Sequence, residues 1–128
     1  MSIVVPVQVD GSAAGWTLHD FLELVETSPP AAGGRAMITF DQLDPDEMLL
    51  VDHAVVVCTS TTATTVRLYA DRVDPLAVLD GSAAGNFDVA EWPNGLQLRP
   101  STSLIVVWDG CSAGAVGTIT LQTRSLRR

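Results

Sequence analysis

Gly110-Cys111-Ser112-Ala113-Gly114 spells G-x-S-x-G, the pattern of a serine-hydrolase elbow, in which a strained strand-to-helix turn lifts a serine hydroxyl over a helix N-terminus. The chemistry fails downstream of the serine. Ala115 to Leu121 are β-formers around Gly117, and neither aspartate nor histidine occurs after Ser112 to complete a Ser-Asp-His order. A hairpin turn is expected instead. His19 and His53, the two imidazoles, sit beside Asp20 and Asp52, and a carboxylate that orients an imidazole makes a general base. Neighbours on a strand point to opposite faces, so Asp52 is badly placed to orient His53, while His19 would be exposed on a helix. Asp41, Asp44, Asp46 and Glu47 crowd four carboxylates into seven residues, the hard oxygen donors that calcium takes. They lack the alternating acidic, glycine-centred spacing of a calcium loop, and a solvated turn around Pro45 is expected. Trp16, Trp92 and Trp108 would stack sugars if exposed, or fill a core or interface if not. With no phosphate-cradling loop and no paired-cysteine zinc site, the sequence offers no catalytic residue, cofactor or metal ligand.

The elements that position these residues are strands. Three small-residue segments nearly repeat one another: Asp10-Gly11-Ser12-Ala13-Ala14-Gly15, Asp80-Gly81-Ser82-Ala83-Ala84-Gly85 and Asp109-Gly110-Cys111-Ser112-Ala113-Gly114. Each ends an apolar, β-branched run, and each is expected to be a tight turn whose small side chains let it pass close to other backbone. Ile3 to Val9 alternates around Pro6, which suits an edge strand. Thr17 could cap a short helix, with Leu18, Phe21, Leu22 and Val25 at helical spacing; Asp20 to Glu26 also alternates in part and offers a strand. Ser28 to Gly34 is a loop. Further strands are expected over Ala36–Phe40, Met48–Thr59, Thr64–Ala70, Leu76–Leu79, Asn86–Trp92, Leu96–Leu98, Leu104–Trp108 and Val116–Gln122. In the longest, Leu49, Val51, Val55 and Val57 are assigned to one face and Leu50, Val56 and Cys58 to the other, which places it mid-sheet. Pro93-Asn94-Gly95 is expected to be a turn between two short strands, and the last two runs to pair with each other. The architecture expected is all-β, a sandwich or jelly roll of about eight strands with at most one short helix near the N-terminus. It divides into an N-terminal strand, possible helix and loop (1–40), a main sandwich (41–122) and a basic tail (123–128).

At 128 residues, 47% hydrophobic and 17% charged, the chain suits one domain with its own core. Seven basic against fifteen acidic side chains give a formal charge of −8, which repels phosphate backbones and argues against nucleic-acid binding. No signal-peptide pattern opens the sequence, and no apolar run approaches the ~20 residues of a membrane helix, so a soluble protein is expected. Cys58 and Cys111 are expected to be small apolar residues rather than a redox or metal pair.

Leu49-Leu50-Val51-Asp52-His53, Val66-Arg67-Leu68-Tyr69, Leu79-Asp80-Gly81-Ser82 with Gly85-Asn86-Phe87-Asp88-Val89-Ala90, and Leu104 through Ala115 span a little over half the chain. In these segments it resembles a family of small β-rich proteins encoded in the structural-gene regions of tailed bacteriophages of actinobacteria. The resemblance implies a non-enzymatic virion component, made in the host cytoplasm, that assembles with other virion proteins and with its own copies. A minor tail protein is the first expectation and a head-decoration protein the second. A carbohydrate- or receptor-binding module using Trp16, Trp92 and Trp108 is the alternative from another class. Contacts with neighbours are expected from Ile3, Val5 and Val7 by strand addition, and from Arg124, Arg127 and Arg128 by charge pairing. Deleting both ends is expected to abolish incorporation into particles while leaving a folded domain.

Overall fold

A computed structural model describes residues 15–128. Its eight strands are β1 (Thr17–Thr27), β2 (Arg35–Thr39), β3 (Glu47–Cys58), β4 (Thr65–Ala70), β5 (Val78–Ser82), β6 (Phe87–Leu98), β7 (Leu104–Asp109) and β8 (Gly117–Arg127), with one 3-10 turn at Pro75–Ala77. They form two four-stranded sheets, in the orders β1-β8-β3-β6 and β2-β7-β4-β5. All pairs are antiparallel. First pairs with last, second with seventh, third with sixth and fourth with fifth, so the chain is a nested set of four pairs folded over a shared core. The inner faces meet through Leu49, Val51, Val56, Ile119 and Leu121 of one sheet and Ile38, Val66, Leu68, Val106 and Trp108 of the other. No helix among the described residues is long and apolar enough to cross a membrane.

Several expectations need correction. The proposed helix from Thr17 is β1, paired with β8 along its length apart from a bulge at His19. Leu22 and Leu24 turn toward the core at period 2, while Phe21 and Val25, half of the helical stripe, are 70% and 54% exposed. A nine-residue amphipathic helix is marginal by itself, and the strand offers a full ladder on β8. The basic tail is the last part of β8. Pro93-Asn94-Gly95 does not separate two strands: Val51 faces Leu96 and His53 faces Glu91, so residues 92–95 bulge out opposite Asp52 and β6 resumes.

Asp52 is itself an extra residue against β8. That bulge reverses the alternation of β3, so the inner-facing set is Leu49, Val51, Ala54, Val56 and Cys58, whereas Val57 is 42% exposed. Asp80-Gly81-Ser82 lies inside β5 rather than in a turn. The third small-residue segment is not a hairpin: β7 and β8 belong to different sheets, and Asp109 to Gly114 carries the chain across the sandwich. Gly110 there has φ +85°, and a Cβ on it would lie 2.9 Å from the Ala63 carbonyl oxygen. The close backbone approach expected of these segments is real in both that are described, and the Asp80 segment links strands only through its latter half, Ala83 to Gly85, between β5 and β6. Asp10 to Ala14, and the expected strand Ile3 to Val9, lie outside the described residues.

Candidate functional site

Register across β1, β8, β3 and β6 lines up side chains on the outer face of their sheet in rows. Thr27, Thr118, Val57 and Phe87 form one row and Val25, Thr120, Val55 and Val89 the next. These eight positions, two from each strand, are all β-branched or aromatic and none is charged. Phe87, Val25, Val89 and Val57 are 65%, 54%, 46% and 42% exposed. At ~4.8 Å between strands and ~3.4 Å per residue, the two rows cover about 250 Å², just under the ~300–600 Å² of the largest apolar patch on an ordinary monomer, which is often functional. The next row is polar and the one after it mixed. Glu23, Gln122, His53 and Glu91 form the third, in which Gln122 donates to Glu23 at 2.8 Å, and Phe21, Arg124, Leu50 and Gln97 form the fourth.

Where β5 and β6 end their respective sheets, the sandwich is open among the described residues. A cleft of about 80 Å³ enters there, floored by Ala54, Val56, Val66, Leu68 and Ile119. Its rim carries Asp80, Ser82, Asp88 and Trp92. The indole N–H of Trp92 donates to Asp80 Oδ2 at 2.9 Å, and the Gly81 amide donates to Asp80 Oδ1 at 2.7 Å. The Ser82 hydroxyl donates to Asp88 Oδ2, and the Val89 amide donates to Asp88 Oδ1 at 2.8 Å. Those donors, the Ser82 hydroxyl first, hold the Asp88 carboxyl below its ordinary range. A carboxyl depressed in the folded state stabilises the fold above its unfolded pKa, and that contribution is lost as pH falls through the folded value. Ser82→Ala should therefore move the Asp88 titration upward in a carbon-detected NMR pH series below about pH 5, and start the acid loss of stability at a higher pH.

No protein-family model matches the chain, and no curated protein matches it. The reading of the site therefore rests on its residues.

The candidates named from sequence fall into different places. Trp108 is fully buried, with its indole N–H on the Gly85 carbonyl at 2.9 Å, so it is a core residue and not a stacking platform. Trp16 is half-buried under the Arg128 guanidinium, 4.7 Å from the ring centroid, which leaves Trp92 as the tryptophan beside a cleft. The arginines expected to reach a neighbour are engaged internally. Arg124 makes two bonds to Asp52, at 2.9 and 2.7 Å; Arg127 lies 3.5 Å from Asp44 and 3.8 Å from Glu47; Arg128 donates to the Pro45 carbonyl at 3.1 Å. These contacts draw Asp44 and Glu47 from the acidic loop into the fold, and among the described residues no group of three such side chains is placed to hold a metal. Ile3, Val5 and Val7 lie outside the described residues.

Ser112 is part of a loop lock. Its hydroxyl accepts the Thr61 amide at 2.9 Å, its amide donates to Ser60 Oγ at 2.9 Å, and strand β8 rather than a helix comes next in the chain. Ser112→Ala should cost about 1 kcal/mol in urea denaturation, the usual net worth of one such bond. His53 faces Gln122 and Glu91 across its ladders, in the third row of the outer face, and His19 is exposed at the β1 bulge. Cys58 is buried and Cys111 half-buried, both free. Burial first, and then the neighbouring Cys58, push the Cys111 thiol up, as befits a packing residue rather than a nucleophile.

The sequence reading missed both the outer-face rows and the cleft. Val25, Val57 and Phe87 are joined only by register. For the cleft a signal existed: Asp80 and Ser82, and then Asp88, Ala90 and Trp92, alternate at period 2 and so share one face of each strand.

Proposed function

We propose that this protein is a non-enzymatic structural component of a tailed-bacteriophage virion, tail-associated, that holds its place through protein–protein contacts of the outer face of β1-β8-β3-β6. The observation that carries the contact is the uncharged double row of Val, Thr and Phe, a surface with the composition of an interface and no reactive group in it. The nested strand pairing supports reading the winding as a jelly roll, an architecture of viral shells and of lectins, and fold alone does not choose between them. The resemblance to phage structural proteins and the formal charge of −8, which disfavours DNA packaging, favour the virion reading.

Two measurements on particles carry the test. Val57→Glu with Phe87→Glu should leave the isolated protein folded, since both side chains already meet water, and should reduce incorporation into purified particles at least tenfold by quantitative mass spectrometry. Unchanged incorporation would remove the outer face from the reading. The copy number of the wild-type protein then separates positions: a handful per particle agrees with a tail component, and hundreds agree with the alternative, a decoration protein on the head.

A further inference from the structure

We propose that the cleft between β5 and β6 seats a lysine or arginine side chain from a neighbouring protein; this rests on the assembly reading and names the partner chemistry it requires. The floor is hydrocarbon, from Ala54, Val56, Val66, Leu68 and Ile119, and about 80 Å³ suits an aliphatic stem rather than a ring system. Above it stand two carboxylates. The rim's two side-chain donors and two of its amides are already spent on them: the Trp92 indole and Gly81 amide on Asp80, the Ser82 hydroxyl and Val89 amide on Asp88. What the rim still offers is acceptor capacity and negative charge, so its occupant must donate hydrogen bonds and bring positive charge.

The chain does not supply that charge itself. It contains seven arginines and no lysine. Arg35, Arg72, Arg124 and Arg127 form ion pairs with other carboxylates, Arg128 lies over Trp16, and Arg99, just past the end of β6, makes no ion pair with Asp80 or Asp88. Arg67 is opposite Gly81 in the β4–β5 ladder, on the face of that sheet away from Asp80. Neither Asp80 nor Asp88 has an ion-pair partner among the described residues, and residues 1–14 contain no basic side chain. A long cationic side chain fits both halves of the site: its methylenes cover the floor while its head stays at the wet rim, beside the Trp92 ring and between the carboxylates.

Position favours a protein donor. β6 presents Asp88, Ala90 and Trp92 to the cleft and Phe87 and Val89 to the outer face, so one partner segment lying along this edge would engage both. It would need to, because the apolar rows alone offer about a third of the ~800 Å² per partner in a standard interface.

The test uses the isolated full-length protein, nitrogen-15 labelled, titrated with N-acetyl-lysine methylamide, N-acetyl-arginine methylamide and their uncharged counterpart N-acetyl-norleucine methylamide. Saturable shifts of the Trp92 indole and of the Gly81, Ser82 and Val89 amides are expected with both cationic probes, at the millimolar level ordinary for fragments. Norleucine should bind at least tenfold more weakly. Asp80→Asn and Asp88→Asn should each weaken the lysine probe several-fold, and Ala90→Leu, which fills the cleft and leaves the carboxylates in place, should abolish it. Equal binding of norleucine, titrations indifferent to these substitutions, or absence of saturable shifts would each overturn the proposal, as would equal occupancy by N-acetylglucosamine, which would return the cleft to a glycan. Since no particle enters this experiment, its failure leaves the outer-face assembly reading to stand or fall on incorporation.

Discussion

Trp108→Ala should lower the unfolding free energy by about 3–5 kcal/mol, the range for deleting a large buried aromatic, and for a chain of this size that approaches the whole margin of stability. Trp108 is 0% exposed on β7, a strand buried on both faces from Leu104 onward. Its ring packs in the shared core and its N–H closes on the Gly85 carbonyl at 2.9 Å, so alanine leaves a cavity and an orphaned carbonyl together. Urea denaturation monitored by far-ultraviolet circular dichroism checks this without relying on the missing fluorophore. A loss under 1 kcal/mol would show that the ring is not the centre of the core.

The partner of that ring is Gly117, at the start of β8. A Cβ on Gly117 would lie 2.5 to 2.6 Å from three atoms of the Trp108 six-membered ring, and the ring, packed and tethered, has nowhere to retreat. Gly117→Ala should therefore cost about 2–3 kcal/mol, the upper part of the overpacking range, although alanine has the better strand propensity. In a Trp108→Leu background the same substitution should cost at least 1 kcal/mol less, because the clash is with the ring. Additive costs in the double-mutant cycle would place the damage elsewhere.

Legibility in the sequence tracks burial. β7 is visible as a run because both of its faces are covered, and β3 because apolar residues line its outer face as well as its inner one, although Val57 there meets water; a run of that kind needs no knowledge of register. β1 is harder. Among the described residues it is an edge strand with a thin inner stripe of Leu22 and Leu24, and the apolar residues it shows on the outer face, Leu18, Phe21 and Val25, imitate a helical period. Pro93-Asn94-Gly95 has the composition of a turn, and only the pairing of His53 with Glu91 reveals that β6 bulges there and continues. Asp80-Gly81 carries a hairpin signature yet lies flat in β5; Gly81 is small for another reason, since a Cβ there would come within 3.1 Å of Val66 O and the Arg67 side chain. The candidate surfaces are less legible than the strands. Alternation can say which residues of β6 share a face, but that Phe87 stands beside Val57 and Thr118, or that Asp80 and Asp88 rim one cleft, depends on strands chosen by long-range pairing.

Ending the chain after Gln122 should abolish cooperative folding, contrary to the expectation that the last six residues form a dispensable basic tail. Residues 123–127 complete β8, an interior strand, and are laddered to β1 from Thr17 to Leu22 on one side and to β3 from Glu47 to Val51 on the other. Thr123 and Ser125 are buried, with Thr123 Oγ1 donating to the Leu22 carbonyl at 3.1 Å and Ser125 Oγ to Glu47 at 3.1 Å. The truncation unpairs roughly ten backbone donors and acceptors, at about 0.5–1.5 kcal/mol for each hydrogen bond lost, and strips one end of the core; the sum matches the ~5–15 kcal/mol that holds a small domain together. The charges matter far less. Arg124→Gln, in a bidentate pair with Asp52 that is about one-third exposed, should cost about 1 kcal/mol, and Arg127→Gln less, with the fold retained. Amide dispersion and a cooperative urea transition distinguish the cases, and a truncated chain that kept both would show that the end of β8 is dispensable. The consequence for assembly is direct: loss of incorporation after deleting this segment would report an unfolded protein, so contacts with neighbours have to be tested by point substitutions such as those at Val57 and Phe87, which leave β8 whole.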